Sequence, residues 1–284
     1  MAGTLYVVAT PIGNLEDISF RALRVLRECD LVAAEDTRRT DKLLKANGLV
    51  TKVVSYHHHN RRSRLPLLVQ SLESGLSIAL VSDAGTPGIS DPGLELIRAC
   101  VEKGISVDPI PGASAPVTAL LVSGFEPEPF TFFGFSPNKS GQKRKWLERA
   151  FSVKNTFCFF EAPHRIKETL QMAAEISVNR PMMLAREMTK VHQEFIRGTA
   201  IDIIHRLNRP IGEMTVVVSN IELNEINRDA SDEEVYACFV DKLRSAGNNR
   251  RRALELVASE LGCSRNEVYA AVERAKRGSA EPGF

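Results

Sequence analysis

SIALVSDAGTPGISDPG, residues 77–93, is a short apolar run followed by an irregular stretch of twelve residues holding three glycines and two prolines. Ser77–Val81 reads as a buried strand. A helical pattern resumes at Pro92 and runs to Lys103, where Gly104 ends it. The intervening loop, Ser82 to Gly93, is longer and more constrained than a strand-to-helix connection requires. Its glycines and prolines fix a backbone that can approach a ligand closely. Asp83, at the strand end, can accept from a hydroxyl or an ammonium, and Asp91 can cap the next helix with Pro92 at its first position.

The same strand-to-helix grammar extends to either side. Leu5–Ala9 reads as a strand entering the tight loop Thr10-Pro11-Ile12-Gly13, and Ser19 can cap a helix running to Cys29. Leu31–Ala34 is a strand followed by the polar run Glu35–Thr40; Asp41–Ala46 reads as a helix stopped at Asn47-Gly48. Lys52–Tyr56 and Ser106–Ile110 are further strands, Leu65–Ser74 is a helix, and Pro111–Ala115 (PGASA) leads into a helix over Pro116–Val122. Such alternation predicts a mostly parallel sheet with helices on both faces. Ligands on such sheets sit beyond the carboxyl ends of the strands, and the unusual loops all follow strands, so they converge on one site.

The expected first α/β domain is 1–122. The Pro- and Phe-rich stretch Phe125–Pro137 reads as a connection into a second domain, 123–223, with strands at Thr156–Phe160, Met182–Arg186, Glu194–Arg197 and Met214–Val218, and helices at Lys143–Phe151 and Ile166–Ile176. Clean β-helix-β alternation is rarer here, which predicts a mixed sheet. Asn224–Ser231 reads as a linker. The helical patterns at Asp232–Arg244, Arg251–Leu261 and Arg265–Arg277 make a C-terminal appendage, 231–277, resembling a helix-turn-helix, with Ser264 and Glu267 spaced as a capping box.

The chain has 284 residues, 43% hydrophobic and 25% charged, with a formal net charge of +2, a globular composition with no apolar run long enough for a membrane span. Met1–Leu5 does not read as a secretory leader, so a cytoplasmic location is expected. Five cysteines, at 29, 100, 158, 238 and 263, form no Cys-x-x-Cys pair and read as buried apolar residues. Cation density is local: His57–Arg64 carries Arg61, Arg62 and Arg64 without an acid, Lys139–Arg149 holds five basic residues against one acid, and Arg250–Arg252 are consecutive. These clusters suggest focused anion contacts or solvated surface runs. The appendage, with nine basic and eight acidic residues, reads equally as a nucleic-acid, packing or dimerisation module. His57, His58 and His59 lack acidic or Cys partners at ligand spacing, so no metal is expected.

TPIGN at 10–14, EDTR at 35–38, SDAGTPGISDPG at 82–93, PGASA at 111–115, FFEAPHR at 159–165 and GEMTVVV at 212–218, in that order, resemble the tetrapyrrole methylase superfamily, and within it the branch acting on a cytidine 2′-hydroxyl of small-subunit (16S) ribosomal RNA. The resemblance spans nearly the whole chain. It implies a two-domain α/β homodimer that holds S-adenosylmethionine (SAM) in the cleft between domains and acts on ribosomal RNA or the assembled 30S particle, with methylation of a tetrapyrrole ring carbon as the competing activity. Carried over by motif, Pro11, Ile12 and Gly13 border the cofactor; Asp83, Gly85, Pro87 and Gly88 lie against its amino-acid end; Ser114 and Ala115 contact it from the third loop; Ala162 and Met214 close over the adenine. Only Gly13 remains of the glycine-rich first loop common among relatives.

A ribose hydroxyl is a poor nucleophile and gains from a base. Glu35 and Asp36 are the candidate bases, and because neighbours on a strand end point in opposite directions, at most one serves; the alternative is a helix cap at Asp36 or Thr37 with surface charge. His57, His59 and His164 are alternatives. Arg38, Arg39, His57, Arg61, Arg62, Lys143, Arg144 and Arg165 are the candidate RNA contacts. Trp146 reads either as a platform for a flipped base or as an anchor to the core.

Overall fold

The computed structural model describes residues 2–91, 93–221, 231–247, 249–261 and 265–278. Its first sheet is wholly parallel. Strands β1 (Thr4–Val8), β2 (Leu31–Ala34), β3 (Val53–Ser55), β4 (Ile78–Val81) and β5 (Ser106–Ile110) lie in the order β3-β2-β4-β1-β5. All four residues of β4 are buried, as expected where both faces of a sheet are covered. The register sets Leu5 beside Ile78 and Val107. Helices α1 (Phe20–Glu28) and α2 (Thr37–Ala46) cover one face through Val25, Leu26 and Leu44. Helices α3 (Arg61–Glu73) and α4 (Gly93–Glu102) cover the other through Leu68, Leu72, Leu96 and Cys100. Right-handed crossovers require this split, because the chain moves one way along the sheet after β1 and β2 and the other way after β3 and β4. Neighbouring strands β2 and β4 therefore send their connections in opposite directions, which opens a crevice between their carboxyl ends.

The second sheet is mixed. Strands β6 (Phe130–Phe135), β7 (Thr156–Glu161), β8 (Met182–Arg186), β9 (Glu194–Gly198) and β10 (Met214–Val218) are ordered β6-β7-β10-β8-β9, with only β6 and β7 parallel. Alternate residues serve opposite faces. Phe157, Phe159, Leu184, Val216 and Val218 pack under α6 (Ser140–Phe151), α7 (Ile166–Ile176) and α8 (Ala200–Arg206). Cys158, Met183 and Val217 face α5 (Ala115–Ser123) through Ala119 and Leu120. The helix that closes the expected first domain thus packs on the second sheet. Strand β6 lies inside the stretch read as a connection, and α8 was not foreseen although Thr199 and Asp202 form a complete capping box at its start. Trp146 stands edge-on to Phe133 and Phe159 at the margin of the core, the anchoring role.

Helices α9 (Asp232–Ser245), α10 (Arg250–Leu261) and α11 (Arg265–Gly278) enclose their own core of Val235, Phe239, Leu254, Val257, Val268 and Val272. Ser231 caps α9 in a capping box with Glu234. The expected cap at Ser264, the Pro92 helix start and the linker over 224–230 lie outside the described residues.

Candidate active site

The loops after β1, β4 and β5 are tied together by backbone. Thr10 and Gly85 exchange both hydrogen bonds of an isolated antiparallel bridge, 2.9 and 3.0 Å, with Gly85 at φ +82° where a side chain is disfavoured. The Thr86 hydroxyl donates to the Ala113 carbonyl at 3.3 Å. Within the fourth loop, Asp91 is the hub: its Oδ1 accepts from Gly88 N–H at 2.6 Å and Gly93 N–H at 3.0 Å. Burial pushes its carboxyl up against the pull of those bonds. Gly85, Pro87, Gly88 and Ser114 line neither of the two cavities described below. Gly85 shapes the loop backbone through its bridge to Thr10, and Ser114 stands at the start of α5.

The crevice between β2 and β4 holds the carboxylates. The Asp36 N–H donates to Asp83 Oδ1 at 2.8 Å, the Asp83 N–H donates to Glu35 Oε2 at 3.4 Å, and Arg39 Nε lies 3.6 Å from Asp83 Oδ2. Glu35 and Asp36 point apart, and their environments separate them chemically. Asp36 caps α2, accepting from the Arg38 guanidinium at 2.7 and 3.1 Å and from the Arg38 N–H at 2.9 Å; these bonds pull its carboxyl down to about 2. Asp36 is thereby the poorer proton acceptor of the pair, and it lines neither of the two cavities described below. Glu35 is half-buried, and burial followed by the charge of Asp83 pushes its carboxyl up.

The opposite wall comes from the second sheet. Glu161, at the end of β7, has a fully buried carboxylate that accepts from Thr169 Oγ1 at 2.5 Å, Ala162 N–H at 2.7 Å, Arg165 Nη2 at 2.7 Å and the Ser136 hydroxyl. Arg165, expected at an RNA-facing rim, is held inward by Glu161 and by Asn138. Across the cleft the Asn14 N–H donates to Thr189 Oγ1 at 2.9 Å, and Gly13 packs against the β8–β9 turn so closely that a Cβ there would meet Met188 O at 2.7 Å. Lys190, in that turn, bridges Glu187 at 2.8 Å and Glu213 at 3.0 Å.

Two cavities result. The larger, about 400 Å³, lies between the sheets, and its lining includes Ile12, Glu35, Asp83, Ala115, Ala162 and Met214. The smaller, about 190 Å³, adjoins it and takes in Pro11, Ile12, Gly13, Lys42 and Lys190. SAM fits the larger one chemically. Phe160, Pro163, Met188 and Met214 give an apolar wall for a purine, while Glu35, Asp83, Asp91 and Glu213 suit an ammonium, a sulfonium and ribose hydroxyls. Glu213, Met188 and Phe160 were not foreseen; the GEMT and FFEAP motifs contain Glu213 and Phe160, while no sequence signal marked Met188 in the β8–β9 turn.

Of the expected RNA contacts, Arg39 reaches both cavities and Arg38 is exposed over 86% of its side chain, beside Asp36. His57, Arg61 and Arg62 line neither cavity, and Arg61 pairs with Glu95 at 2.6 Å. Lys143 is a correction: its side chain is wholly buried, with Nζ 2.8 Å from Glu168, because it continues the buried stripe of Leu147, Ala150 and Phe151 along α6. Arg144 is exposed and pairs with Glu175.

A family model described as Tetrapyrrole (Corrin/Porphyrin) Methylases matches residues 4–204. The chain is 43% identical over 273 residues to the ribosomal RNA small subunit methyltransferase I of Halalkalibacterium halodurans, covering 94% of this chain and 93% of that one. It is 42% identical over 271 residues to the protein of the same name from Bacillus subtilis, with coverage of 94% and 93%. Among solved structures it is similar to diphthine synthase, with a TM-score of 0.61 at 16% identity over 76% of this chain and 90% of that one. It is also similar to uroporphyrin-III C-methyltransferase from Thermus thermophilus complexed with S-adenosyl homocysteine, with a TM-score of 0.54 at 15% identity over 76% and 97%. These structural likenesses carry the fold, while the family match and the sequence identities carry kinship. S-adenosylmethionine is accordingly the methyl donor, and the chain belongs to the tetrapyrrole methylase family.

Proposed function

We propose that this chain methylates the 2′-hydroxyl of a cytidine in small-subunit ribosomal RNA. The observation that carries the reading is the extent of the likeness to relatives named for that RNA: 94% of the chain, beyond residue 204 where the family model ends and into the C-terminal helices. The cytidine and the ribose oxygen rest on the sequence motifs. A cytoplasmic enzyme acting as a homodimer on the RNA or the 30S particle is consistent with this reading.

Bound in the larger cavity, SAM supplies a methyl group activated by its positive sulfur. The protein contributes position and a proton acceptor. Met214 and Ala162 would offer apolar contacts to the purine, and Asp83 and Glu213 would hold cationic or hydroxyl groups. Orientation of this kind is worth several kcal/mol of barrier. Glu35 is the base: it lines the cavity, and its raised carboxyl is a stronger proton acceptor than an exposed glutamate. Arg38 and Arg39 at the rim neutralise flanking phosphates.

The test is transfer of labelled methyl from SAM to isolated small subunits, free 16S ribosomal RNA and a tetrapyrrole mixture, followed by nuclease digestion. Label in a nuclease-resistant dinucleotide from the small subunit or its RNA supports the reading. Label in the tetrapyrrole and none in RNA overturns it.

A further inference from the structure

The two adjoining cavities differ in charge. The larger is lined by Glu35, Asp83, Asp91, Glu161 and Glu213 against one cation, Arg39. The smaller is lined by Arg39, Lys42 and Lys190 against Asp83 and Glu213. SAM carries net positive charge and RNA is a polyanion, so electrostatics assigns them to different cavities. We propose that the smaller cavity is the acceptor site, holding the ribose and one phosphate of the target nucleotide. This rests on the RNA-methylating reading above.

Three features of the site agree with that occupant. About 190 Å³ gives room for a sugar and a phosphate but not for a whole second cofactor-sized molecule. Thr10 and Thr40 add hydroxyl-bearing side chains to the wall, and half-exposed Leu15 offers an apolar surface against which a sugar or base edge can rest. Lys42 stands exposed on α2 and makes no ion pair among the described residues, so its ammonium is available to a phosphate. The cavities share Ile12, Arg39, Asp83 and Glu213, so a hydroxyl seated in the smaller one faces the donor through a common wall. Glu35 stands against that wall, its carboxylate accepting the Asp83 N–H. Pro11 and Gly13 thereby move from the cofactor to the acceptor: they line the smaller cavity alone.

Lys42→Ala and Lys190→Gln in the full-length protein test the assignment, with SAM affinity measured by calorimetry and methylation of small subunits measured over a range of salt concentrations. Lys42→Ala is the cleaner variant, since Lys190 also braces Glu187 and Glu213. For Lys42→Ala, SAM affinity stays within about twofold. KM for the RNA substrate rises about tenfold, and the slope of log affinity against log salt falls by about one for the cation removed. An unchanged RNA KM and salt slope for Lys42→Ala, or a loss of SAM affinity in place of RNA affinity, overturns the assignment while the functional reading stands. A wild-type protein that methylates no RNA removes the functional reading and this assignment with it.

Discussion

Replacing Glu161 with alanine removes the acceptor at the centre of a closed network. Four donors converge on its carboxylate: the Thr169 and Ser136 hydroxyls, the Ala162 N–H and the Arg165 guanidinium. Glu161 is wholly buried and Arg165 is 13% exposed, so little solvent can take over. Breaking a buried ion pair by removing one partner costs about 3–5 kcal/mol, because the remaining charge is left uncompensated. The two hydroxyls, on β6's outgoing loop and on α7, add an unsatisfied-donor cost of about 1 kcal/mol or more that overlaps with the first. A total near 4–6 kcal/mol, at about 2–4 °C per kcal/mol for a unit of this size, lowers Tm by roughly 10–20 °C. Because the network fixes Ala162 and Pro163 on the cavity wall, KM for SAM rises as well. Glu161→Gln keeps the shape and part of the acceptor capacity and falls between. Differential scanning calorimetry and SAM-dependent initial rates read both effects. A Tm for Glu161→Ala within about 2 °C of wild type, with unchanged KM for SAM, refutes the network as the support of that wall.

Glu35→Gln lowers kcat by about 10²–10⁴-fold, the usual contribution of a general base, and removes the acid limb of the pH–rate profile, which in the wild type lies above the ordinary glutamate range. The same variant is more stable than wild type at neutral pH: a carboxyl raised on folding holds its proton more tightly folded than unfolded, so its contribution is lost as pH climbs through the folded value. Urea titrations at pH 5 and 8 check the sign. Gly13→Ala places a methyl 2.6 Å from Thr189 Oγ1 and Lys190 Cγ and 2.7 Å from Met188 O. It costs about 1–3 kcal/mol of overpacking and weakens SAM affinity by shifting the two sheets apart, read by thermal unfolding and calorimetry. Lys143→Met leaves methylation of RNA unchanged and stability equal or higher, since an apolar side chain of similar length takes the place of a buried ammonium and Glu168, 49% exposed, is left to solvent rather than buried unpaired; a fall in RNA affinity without unfolding restores Lys143 as an RNA contact.

The parallel sheet was legible because β1, β2 and β4 are short apolar runs alternating with helical patterns, and the loops that gather the site follow strands directly. The β6 strand was hidden by composition: two prolines just before it and Gly134 within it suggested a connection, but the phenylalanines of FTFFGF lay in a strand paired with β7. Lys143 was misplaced for the opposite reason, since charge was read before periodicity; Lys143, Leu147, Ala150 and Phe151 fall on one helical stripe. Asp36 before Thr37 is itself a readable helix start, and of the two readings the sequence offers for Asp36 the structure shows the cap. What no local pattern held is the partition of charge between two cavities. It depends on Lys190 and Glu213 arriving from the second sheet, far along the chain from Arg39 and Asp83.

The acid-rich wall has a consequence for turnover. Methyl transfer converts a sulfonium into a neutral thioether, so the spent molecule leaves behind carboxylates it no longer neutralises. On the proposed mechanism the hydroxyl proton passes to Glu35, so the sulfonium and one carboxylate lose their charges together, and the cavity would become most repulsive once Glu35 gives up that proton with the spent molecule still bound. Fresh donor restores the balance. A pocket so lined would favour charged donor over discharged product, and relief of its negative charge would favour exchange of one for the other.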